Sequence, residues 1–293
     1  MKRYLGIDIG GTNIKYGLFD DRSEKLQSKS IEVFSTPRRN LDELLENIHT
    51  VIKSELPLEG IGICLPGIMD ESGVILDGGS IPCLKGVNLK EILTREYSLP
   101  VKIENDAHAC AIAEKILGAG QDVENFFILT IGTGLGGAIV INQELYKGNR
   151  SIAGEVSYLN VKGEYWSRTA SMSTLIHQTS LAKKMSRKLI DGYKVMEWSQ
   201  SDNNIKNIYN EWLNALCEGI YNICVMLDPD VVFIGGGISE NEQFIIDLQN
   251  RFKNYHSFSH NWNIQRSTFG NKSGYTGAVI SLFLELGIFQ AIS

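Results

Sequence analysis

The chain has 293 residues, 43% hydrophobic and 21% charged, with a net charge of −6 and a pI near 5.5. Those values describe a soluble globular protein of one large domain or two ordinary ones. The acidic balance excludes a general nucleic-acid binder, which needs a basic face. No apolar stretch approaches the roughly 18 residues of a membrane span, so neither nucleic acid nor a membrane is an expected partner.

Tyr4 to Phe19 (YLGIDIGGTNIKYGLF) sets the pattern. Two apolar runs of period two flank Gly10–Gly11–Thr12, which predicts a β-hairpin. The turn is expected to use glycine for positive φ and for close approach of backbone N–H groups to a ligand. Asp8 stands in mid-strand, where an unpaired carboxylate is costly. With Thr12 and Lys15 nearby, it either serves a metal–phosphate site or caps the turn by an Asx hydrogen bond. Asp8 also interrupts the N-terminal apolar run too early for a signal peptide.

Ile31–Val33 reads as a further hairpin limb, and Leu41 to Leu56 carries the apolar stripe of an amphipathic helix. Ile61 to Pro66 is a short strand ending in a Pro–Gly turn. A Gly-rich loop then leads to a helix near Asn88. Val101 to Glu104 is another strand, followed at once by Asn105–Asp106 and the helix AHACAIAEKILG. That pair is either a helix N-cap or a catalytic carboxylate at the strand ends where open α/β sheets place ligands.

Phe126 to Ile141 (FFILTIGTGLGGAIVI) repeats the opening stretch at an offset of 122 residues, with Gly132 on Gly10 and Thr130 on Asp8. The repeat suggests two related lobes with facing turns. Glu155, among Gly154, Val156 and Tyr158, is either a surface charge or a hydroxyl acceptor. Ile205 to Leu227 is a helix with a core stripe. DVVFIGGGIS at 230–239 is a strand entering a glycine turn before a helix, a unit that binds phosphate or underlies a nucleotide. The tail ends as an apolar helix. The expected division is 1–118 and 119–293, with the last helix packing back on the first lobe. The five cysteines (Cys64, Cys83, Cys110, Cys217, Cys224) are scattered without a CxxC pair and read as free thiols of a reducing cytoplasm.

DIGGTNIK at 8–15, ENDAHACAIAE at 104–114, IGTGLGGAIV at 131–140, AGEVSY at 153–158 and DVVFIGGGIS at 230–239 resemble, in that order, the motifs of ROK proteins. These are bacterial sugar kinases and related repressors. The resemblance implies an α/β, two-lobed actin-like ATPase (ribonuclease H-like) fold with the ligand cleft between lobes. It implies ATP and Mg²⁺ as cofactors and a homodimer. It makes Asp106 the base that deprotonates the sugar hydroxyl. Asp8 would hold Mg²⁺ through water. Gly10, Gly11, Thr12, Gly132, Thr133 and Gly134 would face the β- and γ-phosphates, and Gly236 and Gly237 the adenosine. Asn105, Glu155, Ser80 and Tyr158 match sugar-binding positions.

At two of these the chain departs from the family, which has Asn for Ser80 and a zinc-binding His for Tyr158. The family's zinc-binding cysteine run is replaced by GEYWSRTASMSTL, with Ser167 near the position of a sugar-binding Glu. No structural zinc is expected. The sequence therefore predicts an ATP-dependent kinase acting on a 6-hydroxyl of a hexose, a hexosamine derivative or a β-glucoside. Its rival is a sugar-binding regulator without turnover. The family's repressors carry a helix-turn-helix ahead of the first motif, and Asp8 stands too early for one.

Overall fold

A computed structural model describes residues 2–20, 31–255 and 262–289, with the backbone alone for 31–33. The chain forms two compact units. The first comprises Met1–Asp122, Leu145–Ala153 and Lys272–Ser293; the second comprises Val123–Glu144 and Gly154–Asn271.

In the first unit, β1 (Arg3–Ile9) and β2 (Asn13–Asp20) form the expected hairpin, and β3 (Ile31–Ser35) adds an antiparallel edge. Residues 21–30, within the predicted limb, lie outside the described residues. The helix α1 (Leu41–Glu55) buries Leu44, Ile48, Val51 and Ile52, and Asn40 caps it by accepting from the Glu43 N–H. Next come β4 (Gly60–Leu65), a small hairpin of β5 (Ile68–Met69) and β6 (Ile75–Asp77), α2 (Leu89–Tyr97), β7 (Val101–Asn105) and α3 (Asp106–Leu117). The sheet order is β3-β2-β1-β4-β7, with β4 parallel to both β1 and β7. This order places the ends of β1, β4 and β7 side by side, and with them Asp8, Leu65 and Asn105.

The second unit repeats that plan. Its elements are β8 (Phe126–Ile131), β9 (Leu135–Ile141), β10 (Glu144–Tyr146), a ribbon of β11 (Asn160–Val161) and β12 (Glu164–Tyr165), α4 (Trp166–Ala170), α5 (Met172–Lys183), α6 (Gly192–Ser199), α7 (Asn203–Leu227), β13 (Val231–Gly235), α8 (Glu242–Lys253) and β14 (Asn263–Arg266). The sheet order β10-β9-β8-β13-β14 matches the first sheet position for position. The hairpin β8–β9 is antiparallel, and β13 runs parallel to β8 and β14. Its core gathers Trp166, Trp212, Phe127 and Phe244 around α7.

The last helix, α9 (Ser273–Glu285), belongs to the first unit and is buried from Ser273 to Phe283. Its Tyr275, Val279, Leu282 and Phe283 pack with Tyr4 and Phe19. This burial explains why α9 joins the first unit: an apolar helix must find a sheet face to cover. The approach to α3 is close. A Cβ on Gly277 would stand 1.7 Å from the Ala109 carbonyl oxygen, and backbone cannot yield as a side chain does. Gly277→Ala should cost about 3 kcal/mol by overpacking and lower the melting temperature by roughly 6–12 °C. A melting temperature equal to the parent's would refute this packing. Among the described residues, no helix is long and apolar enough to cross a membrane.

Candidate active site

Asp8 is the penultimate residue of β1, opposite Lys15 on β2 and beside Cys64 on β4. It is half-buried. The Cys64 thiol donates to Oδ1 at 3.5 Å. Burial raises the Asp8 pKa to about 6; Lys15 opposes this and the Asp106 charge adds to it. The start of α9 also comes close, since a Cβ on Gly274 would stand 2.7 Å from Asp8 Cγ. Burial pushes the Cys64 thiol well up, so it stays a donor. These contacts do not form an Asx turn, and they leave a strained carboxylate suited to a hard cation.

The Gly10–Thr12 turn is closed by the Gly10 N–H donating to the Asn13 carbonyl at 3.0 Å. Thr36 Oγ1 braces it by donating to the Gly10 carbonyl at 2.6 Å. The matching turn is closed by the Gly132 N–H donating to the Gly134 carbonyl at 3.0 Å, and the Met172 N–H ties it to α5. One expectation needs correction here. Gly10, in the turn expected to need positive φ, does not have it, and neither do Gly132 and Gly134 of the matching turn. The advantage of glycine is space: a Cβ on Gly132 or Gly134 would meet no atom within 4 Å, so the backbone can be approached closely from outside. Gly236 is different. Its φ is +85°, and a Cβ there would stand 2.3 Å from the Ile131 carbonyl oxygen, so this turn admits glycine alone. Next to it, the Tyr193 hydroxyl donates to the Gly237 carbonyl at 3.3 Å.

Of the two readings of Asn105–Asp106, the helix cap is the one the structure displays, and it falls on Asn105. Asn105 is the N-cap of α3, its Oδ1 accepting from the Ala107 and His108 N–H groups at 2.9 and 3.1 Å. Its Nδ2 donates to the Gly67 carbonyl at 3.0 Å. Asp106, the first helical residue, is half-buried, and its Oδ1 accepts from the Ala107 N–H at 2.8 Å. Burial raises its pKa, against the lowering effects of the Ala107 N–H and His108. Among the described residues no lysine or arginine forms an ion pair with Asp106. Ser80 follows Gly79, where an added Cβ would stand 3.5 Å from the Gly67 nitrogen of the Pro66–Gly67 turn held by Asn105. The Arg38 Nε donates to the Ser80 carbonyl at 2.5 Å.

In the second unit Glu155 leads a short 3-10 turn over Val156–Tyr158. Glu155 is half-buried, and Tyr158 is 50% exposed with its ring edge-on to Tyr165 at 6.0 Å. Ser167 donates to the Ser157 carbonyl at 3.1 Å, which fixes the turn beside α4. No group of three or more His, Cys, Asp or Glu able to hold a metal occurs among the described residues.

Sequence reasoning missed Glu104. It is 4% exposed, and Lys147 Nζ reaches its two oxygens at 2.9 and 2.8 Å. The Asn105 N–H donates to Oε1 at 3.1 Å, and His108 Nδ1 lies 3.3 Å from it. Burial alone would raise the pKa, yet His108 and Lys147 hold it down to about 2. The pair joins residues 43 apart, so no local pattern announces it.

The chain is 34% identical to the beta-glucoside kinase of Listeria innocua serovar 6a, over 97% of this chain and 98% of the relative. It is 28% identical to the N-acetyl-D-glucosamine kinase of Photobacterium profundum, over 94% and 97%. A solved ROK family protein from Streptococcus pneumoniae in complex with sucrose superposes with a TM-score of 0.80 at 29% identity, over 98% and 100%. The protein is an enzyme, an ATP-dependent sugar kinase on the two-lobed α/β fold of the actin-like ATPases. It belongs to the ROK family, whose model matches residues 4–284.

Proposed function

We propose that this kinase transfers the γ-phosphoryl group of ATP to a primary, 6-position hydroxyl, with β-glucosides as the favoured class among hexoses and hexosamine derivatives. The observation that carries the reading is Asp106: a half-buried carboxylate with a raised pKa, set at a helix start and held there by a neighbouring cap. A base needs such a poised group. In this reading Asp106 accepts the hydroxyl proton as the sugar oxygen forms its bond to the γ-phosphorus, and the bond from phosphorus to the β-phosphate oxygen breaks. Asn105 and Glu155 hold other hydroxyls, with Ser80 and Tyr158 at the edges of the sugar.

The turn residues Gly10, Gly11, Thr12, Gly132, Thr133 and Gly134 supply donors to the phosphates, with Lys15 as a nearby cation. Gly236 and Gly237 leave room for the adenosine. Mg²⁺ fits the residues present: Asp8 is an oxygen donor destabilised by burial and by Asp106, a condition that a cation relieves. When bound, Mg²⁺ would neutralise charge building on the phosphates.

The preference for a β-glucoside is supported by Tyr158 and Tyr165. Their exposed edge-to-face rings occupy the stretch where the family resemblance puts a zinc-bound His, and they offer an amphipathic surface for a group on the anomeric oxygen. The names of the relatives above agree with either a β-glucoside or an N-acetylated hexosamine. We further propose a cytoplasmic homodimer without structural zinc.

A coupled ADP-release screen over glucose, mannose, N-acetylmannosamine, fructose, cellobiose and gentiobiose tests the substrate class. Cellobiose or gentiobiose should give kcat/KM at least about tenfold above glucose, a difference of roughly 1.4 kcal/mol. Equal values, or a preference for N-acetylmannosamine, would overturn the β-glucoside assignment. Metal analysis of the purified protein should find zinc well below one per chain, and a stoichiometric content would overturn the zinc-free reading.

A further inference from the structure

The Glu104–Lys147 pair has no part in the roles assigned above. We propose that Lys147 is a positioning residue whose ammonium fastens the Leu145–Ala153 segment to the strand end that carries Asn105 and Asp106. The proposal rests on the reading of Asp106 and Glu155 as sugar-side groups.

The Glu104 carboxylate grips in two directions. Its Oε1 accepts from the Asn105 N–H at the β7–α3 junction, and both oxygens accept from Lys147 Nζ. One buried anion thus joins the peptide before the base to a residue far along the chain. Such an anion needs compensation for its desolvation, and Lys147 shares that task with His108, which lies 3.3 Å from Oε1 on α3 itself and so cannot attach the distant segment.

Lys147 also closes its own segment, since its carbonyl accepts from the Ala153 N–H at 3.2 Å. The loop inside that closure turns through Gly148 and Ser151, with φ of +70° and +53°. Leu145–Ala153 belongs to the first unit, whereas the chain on both sides of it belongs to the second. Glu155 follows directly in sequence. A cavity of about 320 Å³ lies beside the pair, with Gly67, Asp70, Asn105 and Ser151 in its wall. The surroundings of the pair are therefore open on this side, and the ion pair supplies the specific attachment. The Lys147 side chain is 41% exposed, so its removal does not hollow a core.

Lys147 accordingly governs how firmly Leu145–Ala153, the segment that leads to Glu155, is held beside the Asp106 helix within the first unit. Its loss should affect the sugar and spare the nucleotide. Lys147→Met and Lys147→Arg are compared with the parent by amide hydrogen exchange and steady-state kinetics on the full chain. In Lys147→Met the Ala153 amide should exchange about tenfold faster or more. The KM for sugar should rise about tenfold while the KM for ATP stays within about twofold. Lys147→Arg, which can reach both carboxylate oxygens, should restore both readouts. Unchanged Ala153 exchange, or equal rises in the two KM values, would overturn the proposal. A parent enzyme that releases no ADP with any sugar tried would refute the functional reading instead, and the exchange result would still decide the fastening.

Discussion

Asp106→Asn is expected to lower turnover by about 10²–10⁴-fold while sugar affinity changes by less than about threefold. The change removes the proton acceptor and little else. Asn keeps an oxygen for the Ala107 N–H, which Asp106 Oδ1 now accepts at 2.8 Å. The cap of α3 is Asn105, not Asp106, so the helix keeps its N-terminal bonds and should keep its stability. Because the cap is a different residue, the substitution tests the proposed base role without disturbing the helix start. In the parent, burial holds the Asp106 pKa above the ordinary carboxylate value, so turnover should rise with pH as the carboxylate loses its proton. That acid limb should vanish in the variant. Turnover equal to the parent's, with the limb intact, would remove Asp106 from the base role.

Asp8→Asn should have two effects of opposite sign. It should make the metal-free protein more stable at pH 7.5, and it should reduce Mg²⁺-dependent turnover by orders of magnitude. The folded pKa of Asp8, about 6, lies above the ordinary aspartate value of 3.8. The native state therefore holds this proton more tightly than the unfolded chain does. Between those two pH values the native state binds more protons, so stability falls as pH rises. Above about pH 6 the penalty is complete. Taken in full, a shift of that size corresponds to roughly 3 kcal/mol. Partial solvent access reduces the expected gain of the neutral variant to about 1–2 kcal/mol. Below about pH 3 the two proteins should converge, because the parent carboxyl is then protonated in both states. Thermal unfolding of metal-free protein at pH 7.5 and pH 3 checks the first effect, and initial rates at saturating Mg²⁺ check the second. A variant that is less stable at pH 7.5, or fully active, contradicts the assignment.

Much of the fold was legible because it repeats. The glycine-broken hairpin at 4–19 and its echo at 126–141 are local patterns, and they anchor two sheets of the same strand order. The helix stripes over Leu41–Glu55 and Asn203–Leu227 were legible for the same reason, since periodicity declares a buried face. The strand β14 was not legible. Its four residues Asn263–Arg266 alternate too briefly to signal, and parallel pairing with β13 defines them. The division into units was legible in part: the return of the last helix to the first lobe was expected, whereas the return of Leu145–Ala153 was hidden. In the candidate site, glycine at the opening turn was read both from positive φ and from close approach of the backbone; the positive φ is not found at Gly10, and at the matching turn a Cβ on Gly132 or Gly134 would meet open space. Glu104 looked like an ordinary strand residue. Its partner Lys147 lies on another segment, and tertiary structure alone joins them.

The most direct measurement is to incubate the enzyme with cellobiose or gentiobiose, ATP and Mg²⁺ and to locate the phosphate on the product by ³¹P–¹³C coupling in NMR. The account predicts one phosphate, on the 6-carbon of the non-reducing glucose, formed in step with ADP and absent with Asp106→Asn. Phosphate on any other carbon, or ADP released without a sugar phosphate, would contradict it.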